Sequence, residues 1–137
     1  MIPIFIGKKR APLYEGKKVY GKWFECLSVV DGQSGGQLVA SMIYTQSMTS
    51  DFFIKWFKTQ LLLSLSERHI IVMDNASFHP KGKLDNLCIA HNHYFFLLPA
   101  YSPEFNPIEQ TWDNLKENVR ELLRKFSSAR ECLECCL

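Results

Sequence analysis

The run Ile70-Ile71-Val72-Met73 constrains the fold of this chain more than any other feature of its sequence. Successive side chains of an extended strand point to opposite faces, so four apolar residues in a row need cover on both sides. A sheet layered between helices supplies that cover, which sets the expected class as α/β. Asp74 ends the run. A carboxylate at the C-terminal end of a buried strand lies where open α/β sheets gather their ligands.

The neighbouring segments agree with that class. Lys22 to Val30 and Gln37 to Thr45 are rich in β-branched and aromatic residues, and Asp31 to Gly36 has turn composition, which predicts an antiparallel hairpin. Thr49, Ser50 and Asp51 are N-cap candidates for a helix with Phe53, Trp56, Phe57 and Gln60 or Leu61 on one face. Leu84, Leu87, Cys88 and His91 recur at helical spacing, and Tyr94 to Leu98 reads as a strand stopped by Pro99. The last long helix opens at Asn106-Pro107, a capping residue followed by the residue favoured at a first helical position. Ile108, Trp112, Leu115, Val119, Leu122 and Phe126 then form its apolar side. The order predicts a mixed sheet flanked by helices.

A chain of 137 residues has room for one domain, read here as 1–137, and its 47% hydrophobic content is enough for a real core. The formal charge of +2 is too small to argue nucleic-acid binding from bulk charge, so any such surface must be a local patch. Five cysteines without even spacing fit a reducing interior rather than a disulfide framework. No apolar run approaches the roughly 20 residues of a membrane span. Apolar residues precede basic ones at the start, the reverse of a signal peptide. The expected compartment is cytoplasmic and nucleoid-associated.

Two carboxylates stand out. Asp74 ends the buried strand, and Glu109 falls in the first turn of the last helix. One helix and the neighbouring strand lie between them, a connection that returns the chain beside Asp74. Converging carboxylates suit hard divalent cations such as Mg²⁺ or Mn²⁺, whose octahedron water or phosphate oxygens complete. Taken singly, a Glu near a helix start often only caps it, and Asp-Asn after a strand is common turn chemistry.

The stretch Met73-Asp74-Asn75-Ala76-Ser77-Phe78-His79, together with Leu98-Pro99-Ala100-Tyr101-Ser102-Pro103-Glu104-Phe105-Asn106-Pro107-Ile108-Glu109, resembles the mariner-like superfamily of DDE transposases. The bacterial insertion-sequence branch is the most similar. Trp112 to Lys116 continues the likeness, as does Arg10-Ala11-Pro12 with Gly16. The resemblance implies an RNase H-like fold, with Asp74 and Glu109 as the second and third metal-binding carboxylates. It implies two Mg²⁺ or Mn²⁺ ions in the complete enzyme, which cleaves DNA ends and transfers strands. The partners it implies are transposon ends and target DNA, within a homo-oligomer or beside full-length transposase.

The family's first aspartate has no evident counterpart. Ile4-Phe5-Ile6 resembles its strand, but Gly7 follows where an aspartate would stand; Asp31 falls in the hairpin turn and Asp51 at a helix start. The expectation is therefore that the aspartate, and with it the central first strand, is missing. Two exposed strand edges and an inactive, poorly soluble chain would follow. The family's N-terminal helix-turn-helix domains also lack a counterpart.

Other features carry less. His79 has two readings of equal weight, a contact to DNA or a polar turn residue, and Asn75 shapes the turn while orienting Asp74. Lys116 and Arg120 lie on a mixed-charge side of the last helix and are the candidate phosphate contacts there. Lys8, Lys9, Arg10, Lys17, Lys18 and Lys22 make the N-terminal segment the most basic. His91-Asn92-His93 is expected to end a helix, and Cys132, Cys135 and Cys136 to be reduced thiols. The rivals to a transposase domain are another RNase H-like nuclease and a regulatory remnant that binds DNA or a partner without cleavage.

Overall fold

The computed structural model describes residues 2–11, 27–35, 37–45, 47–74, 80–99, 107–125 and 128–137, without the side chains of residues 8–11 and 109. Five strands, β1 (Ile2–Ala11), β2 (Leu27–Ser34), β3 (Gln37–Tyr44), β4 (His69–Met73) and β5 (Tyr94–Leu97), form one sheet in the order β3-β2-β1-β4-β5. The β1/β2 and β2/β3 pairs are antiparallel, while β1/β4 and β4/β5 are parallel. The mixed sheet expected from the sequence is present.

The expectation of a missing central strand is overturned. β1 occupies the centre, with Ile2 to Phe5 beside β4 and Phe5 to Ala11 beside β2. Its alternation explains why this segment fits. Ile4 and Ile6 are buried on one face of the sheet, and Phe5 packs into the cluster on the other. The strand edges of β2 and β4 that the expectation left bare are thus paired, which removes the physical ground for predicting poor solubility.

Helices cover both faces. On one side lie α1 (Ser50–Trp56), a π-helical stretch (Phe57–Leu61), the short α2 (Leu62–Ser64) and α3 (Lys81–Ala90). Thr49 caps α1, its hydroxyl accepting from the Phe52 amide at 3.2 Å, and Phe53, Trp56, Phe57 and Leu61 are buried as their spacing predicts. Leu84 and Cys88 of α3 join the same cluster, together with Ile71 and Met73 of β4. On the other side, Ile108, Trp112, Leu115 and Val119 of α4 (Ile108–Leu122) and Ala129, Cys132 and Leu133 of α5 (Ala129–Cys136) cluster with Leu27 and Val29 of β2.

Local differences from the expectations have plain causes. Pro107, rather than Asn106, stands at the cap of α4 with helical angles, φ −64 and ψ −13. Asn106 lies outside the described residues. Leu123 is buried at the end of the apolar side where Leu122 was expected; Leu122 is half-buried and Phe126 lies outside the described residues. His91 caps α3, and Asn92 follows at φ 64, so the His91-Asn92-His93 tripeptide ends a helix as expected. The described cysteines, Cys88, Cys132, Cys135 and Cys136, are free thiols.

Candidate active site at the C-terminal end of the central strands

Asp74 follows β4 directly and is exposed, while Met73 before it is fully buried. The β4 end is anchored past its last ladder pair by the Leu98 amide, which donates to the Met73 carbonyl at 2.8 Å. The strand thus delivers a solvent-facing carboxylate from a fixed backbone.

β1 runs parallel to β4 with Phe5 opposite Val72. Continuing that register brings Gly7 level with Asp74. On its other side Gly7 pairs with Asp31 of β2. Asp31, Gly7 and Asp74 therefore form one row across three strands. None of the ten residues of β1 is acidic.

The first turn of α4 lies over this row. A Cβ added at Gly7 would stand 2.9 Å from Ile108 Cγ2, 3.0 Å from Ile108 Cδ1 and 3.1 Å from Trp112 Nε1. The helix start approaches β1 so closely that only a glycine meets it without adjustment. Because Ile108 touches this point, the backbone of Glu109 is brought to the same corner as Asp74; its side chain lies outside the described residues.

Two polar groups here were not singled out from the sequence. Asp31 was placed in the hairpin turn, but β2 continues to Ser34 and the bend comes at Gly35, φ 58. The Asp31 carboxyl is fully buried, with Oδ2 accepting from Ser41 Oγ at 3.3 Å. Burial pushes its pKa up to about 7, and the Ser41 bond only partly opposes that shift. Its Oδ1, and the Nε1 of the buried Trp112, find no hydrogen-bond partner among the described residues. The sequence signal for both was faint: a glycine interrupting an apolar strand, flanked in space by a Trp and an Asp whose polar atoms need partners.

Asp74 thus ends β4 level with Gly7, and Glu109 follows Ile108, which packs over Gly7. Asn75, His79 and the Tyr101 to Asn106 block lie outside the described residues. Lys116 is half-buried beside the Trp112–Val119 apolar side of α4, and Arg120, one turn on, is exposed. Lys8, Lys9 and Arg10 belong to β1, their side chains undescribed. Among the described residues no group of three or more His, Cys, Asp or Glu is placed to hold a metal ion. The described residues therefore do not complete a three-carboxylate metal site: Asp74 stands at the corner, β1 contributes a glycine, and Asp31 sits one strand beyond.

Residues 6–132 match the family described as DDE superfamily endonuclease. Comparison with curated protein sequences gave no match. Among solved structures, the catalytic core domain of BIV integrase aligns at TM-score 0.64 and 12% identity, over 98% of this chain and 79% of that one. A simian T-cell lymphotropic virus intasome, solved in complex with PP2A regulatory subunit B56 gamma, aligns at TM-score 0.66 and 13% identity, over 98% and 46%. The Mos1 transposase catalytic domain, solved with raltegravir and Mg, aligns at TM-score 0.56 and 12% identity, over 98% and 81%. At these identities the likeness is one of fold, and the fold is RNase H-like.

Proposed function

The chain belongs to the DDE superfamily endonucleases, and from that premise we propose that it is a transposase catalytic domain acting on DNA ends with a divalent cation. The observation that supports this reading is the close approach of the first turn of α4, through Ile108, to Gly7, the residue that the β1–β4 register sets level with Asp74, inside a sheet of the same fold as an integrase core. Asp74 and Glu109 would be the cation ligands, and Mg²⁺ or Mn²⁺ the ion. Held there by Asp74 and Glu109, such an ion would supply polarisation of phosphate and attacking oxygens. Oxygen ligands on a rigid strand and a helix start suit that ion class.

The remaining parts of the reading follow from the chain's own residues. Lys116 and Arg120 would contact backbone phosphates beside the corner, and His79 and Asn75, close to Asp74 in sequence, would contact DNA and orient the Asp74 carboxylate respectively. The whole chain, 1–137, is read as one catalytic domain. The partners would be transposon ends and target DNA, engaged as a homo-oligomer or with full-length transposase, in an element of the bacterial insertion-sequence kind. Among the described residues no helix is long and apolar enough to cross a membrane, and the nucleoid is the compartment that fits a DNA substrate.

One observation favours a second reading. The absence of any carboxylate on β1 suits a chain that binds DNA or a full-length partner without cutting, and regulates by mixed assembly. The test of the leading reading is Mn²⁺ titration of the folded chain beside Asp74→Asn and Glu109→Gln. Weak binding that both substitutions reduce at least tenfold is expected. Binding indifferent to both would contradict the reading.

A further inference from the structure

We infer that residue 7 is the vacant carboxylate position of this site: Gly7 stands level with Asp74 on the adjacent strand, and an aspartate there would complete the cation-binding set. The inference rests on the reading of Asp74 and Glu109 just given. It locates what is missing at a single position within β1 rather than in an absent strand.

Three independent features converge on that position. The register of β1 with β4 runs through Phe5 and Val72, so a side chain at 7 shares the face and level of Asp74. The first turn of α4 meets Gly7 directly, through Ile108. And Trp112 Nε1, about 1% exposed as a residue and without a partner among the described residues, lies 3.1 Å from where a Cβ at 7 would be. Among the described residues this buried indole N–H, a donor only, has no acceptor. A carboxylate at 7 would supply one oxygen to that donor and leave the other for a cation.

The space is close but not closed. The nearest contacts, at 2.9 and 3.0 Å, are to Ile108 Cγ2 and Cδ1, methyl groups that a change of side-chain rotamer moves. Asp31 is the competing source of a third carboxylate, because its Oδ1 is unpartnered among the described residues and it shares the row. It is disfavoured because it is fully buried one strand further away, with Ile108 over the glycine between.

The experiment is Mn²⁺ binding, by calorimetry and by the paramagnetic resonance of the free ion, for the wild type, Gly7→Asp and Gly7→Asn. Asparagine matches the shape of aspartate without its charge. Gly7→Asp is expected to bind Mn²⁺ at least tenfold more tightly than wild type, Gly7→Asn no more tightly, and Gly7→Asp/Asp74→Asn to lose the gain. If Gly7→Asp does not fold, Gly7→Asp/Ile108→Val, which removes Cδ1, is measured against Gly7→Asn/Ile108→Val with the same expectation. A folded Gly7→Asp no tighter than its asparagine control overturns the inference. So does a wild type that already binds tightly and loses binding in Asp31→Asn. If instead wild-type binding is indifferent to Asp74→Asn and Glu109→Gln, it is the reading of the site that fails.

Discussion

Asp31 shows what a single buried carboxyl does to this protein. Its folded pKa, about 7, is above the ordinary value of 3.8, so between those values the folded state holds a proton that the unfolded state has released. Its contribution to stability is therefore full below the unfolded value and is lost as pH rises through about 7. Asp31→Asn, which keeps an acceptor for Ser41 Oγ, is expected to raise the melting temperature at pH 8 and leave it nearly unchanged at pH 4. Equal shifts at both pH values would contradict the burial argument. The residue was misread from sequence because Asp-Gly-Gln-Ser-Gly-Gly has the composition of a turn. The strand continues through it because Gly32 lets Ile4 approach, with 2.9 Å between Ile4 Cδ1 and the place of a Gly32 Cβ, and because Gln33 pairs with Leu38. Ile4 is far from Asp31 in sequence, and composition alone does not reveal such a contact.

At the scale of elements, the junctions are set by a few polar contacts on an apolar frame. Trp56 Nε1 donates to the Ala40 carbonyl at 2.8 Å, tying α1 to β3 where Ala40 takes a left-handed φ of 55. Trp56→Phe is expected to cost about 1 kcal/mol through the lost bond. Ala40→Gly is expected to gain up to about 1 kcal/mol by relieving the left-handed cost of a Cβ; both are read by denaturant titration. At the other end, the His69 amide donates to His93 Nδ1 at 3.0 Å, which joins β4 to the approach of β5 and requires that nitrogen unprotonated. Burial first, then the charges of His69, His91 and Arg68, lower the His93 pKa below 6.5. That contribution is present above pH 6.5 and is lost as pH falls toward the lowered value, opposite in sign to Asp31. His93→Asn, which keeps an acceptor, should flatten the acid side of the stability profile, and a profile unchanged there would count against the junction. The elements themselves were largely legible. The β4 run, the Thr49 cap, the α3 spacing and the α4 stripe each encode one local periodicity. β1 was not, because a ten-residue strand containing Gly7 and three basic residues becomes a central strand only through the two partners that pair with it.

For the whole molecule, the proposed site lies where the central strands end and α4 begins, and α4 carries Lys116 and Arg120 away from it. DNA binding should therefore weaken steeply with salt, and Lys116→Ala/Arg120→Ala should reduce the log–log salt slope by about 1 to 2, near 0.9 per lost phosphate contact. A slope unchanged by the double substitution would remove these residues from the interface. The sequence proposes Asp74 and Glu109 as a pair, through the strand-end run and the Tyr101–Glu109 block. Position 7 acquires meaning only once the β1–β4 register is known. A cation shared by Asp74 and Glu109 is the central requirement of the proposed function. The most direct measurement is an anomalous difference map from crystals grown with Mn²⁺. A peak within bonding distance of both carboxylates is predicted, and strong Mn²⁺ density elsewhere with none at Asp74 would contradict it.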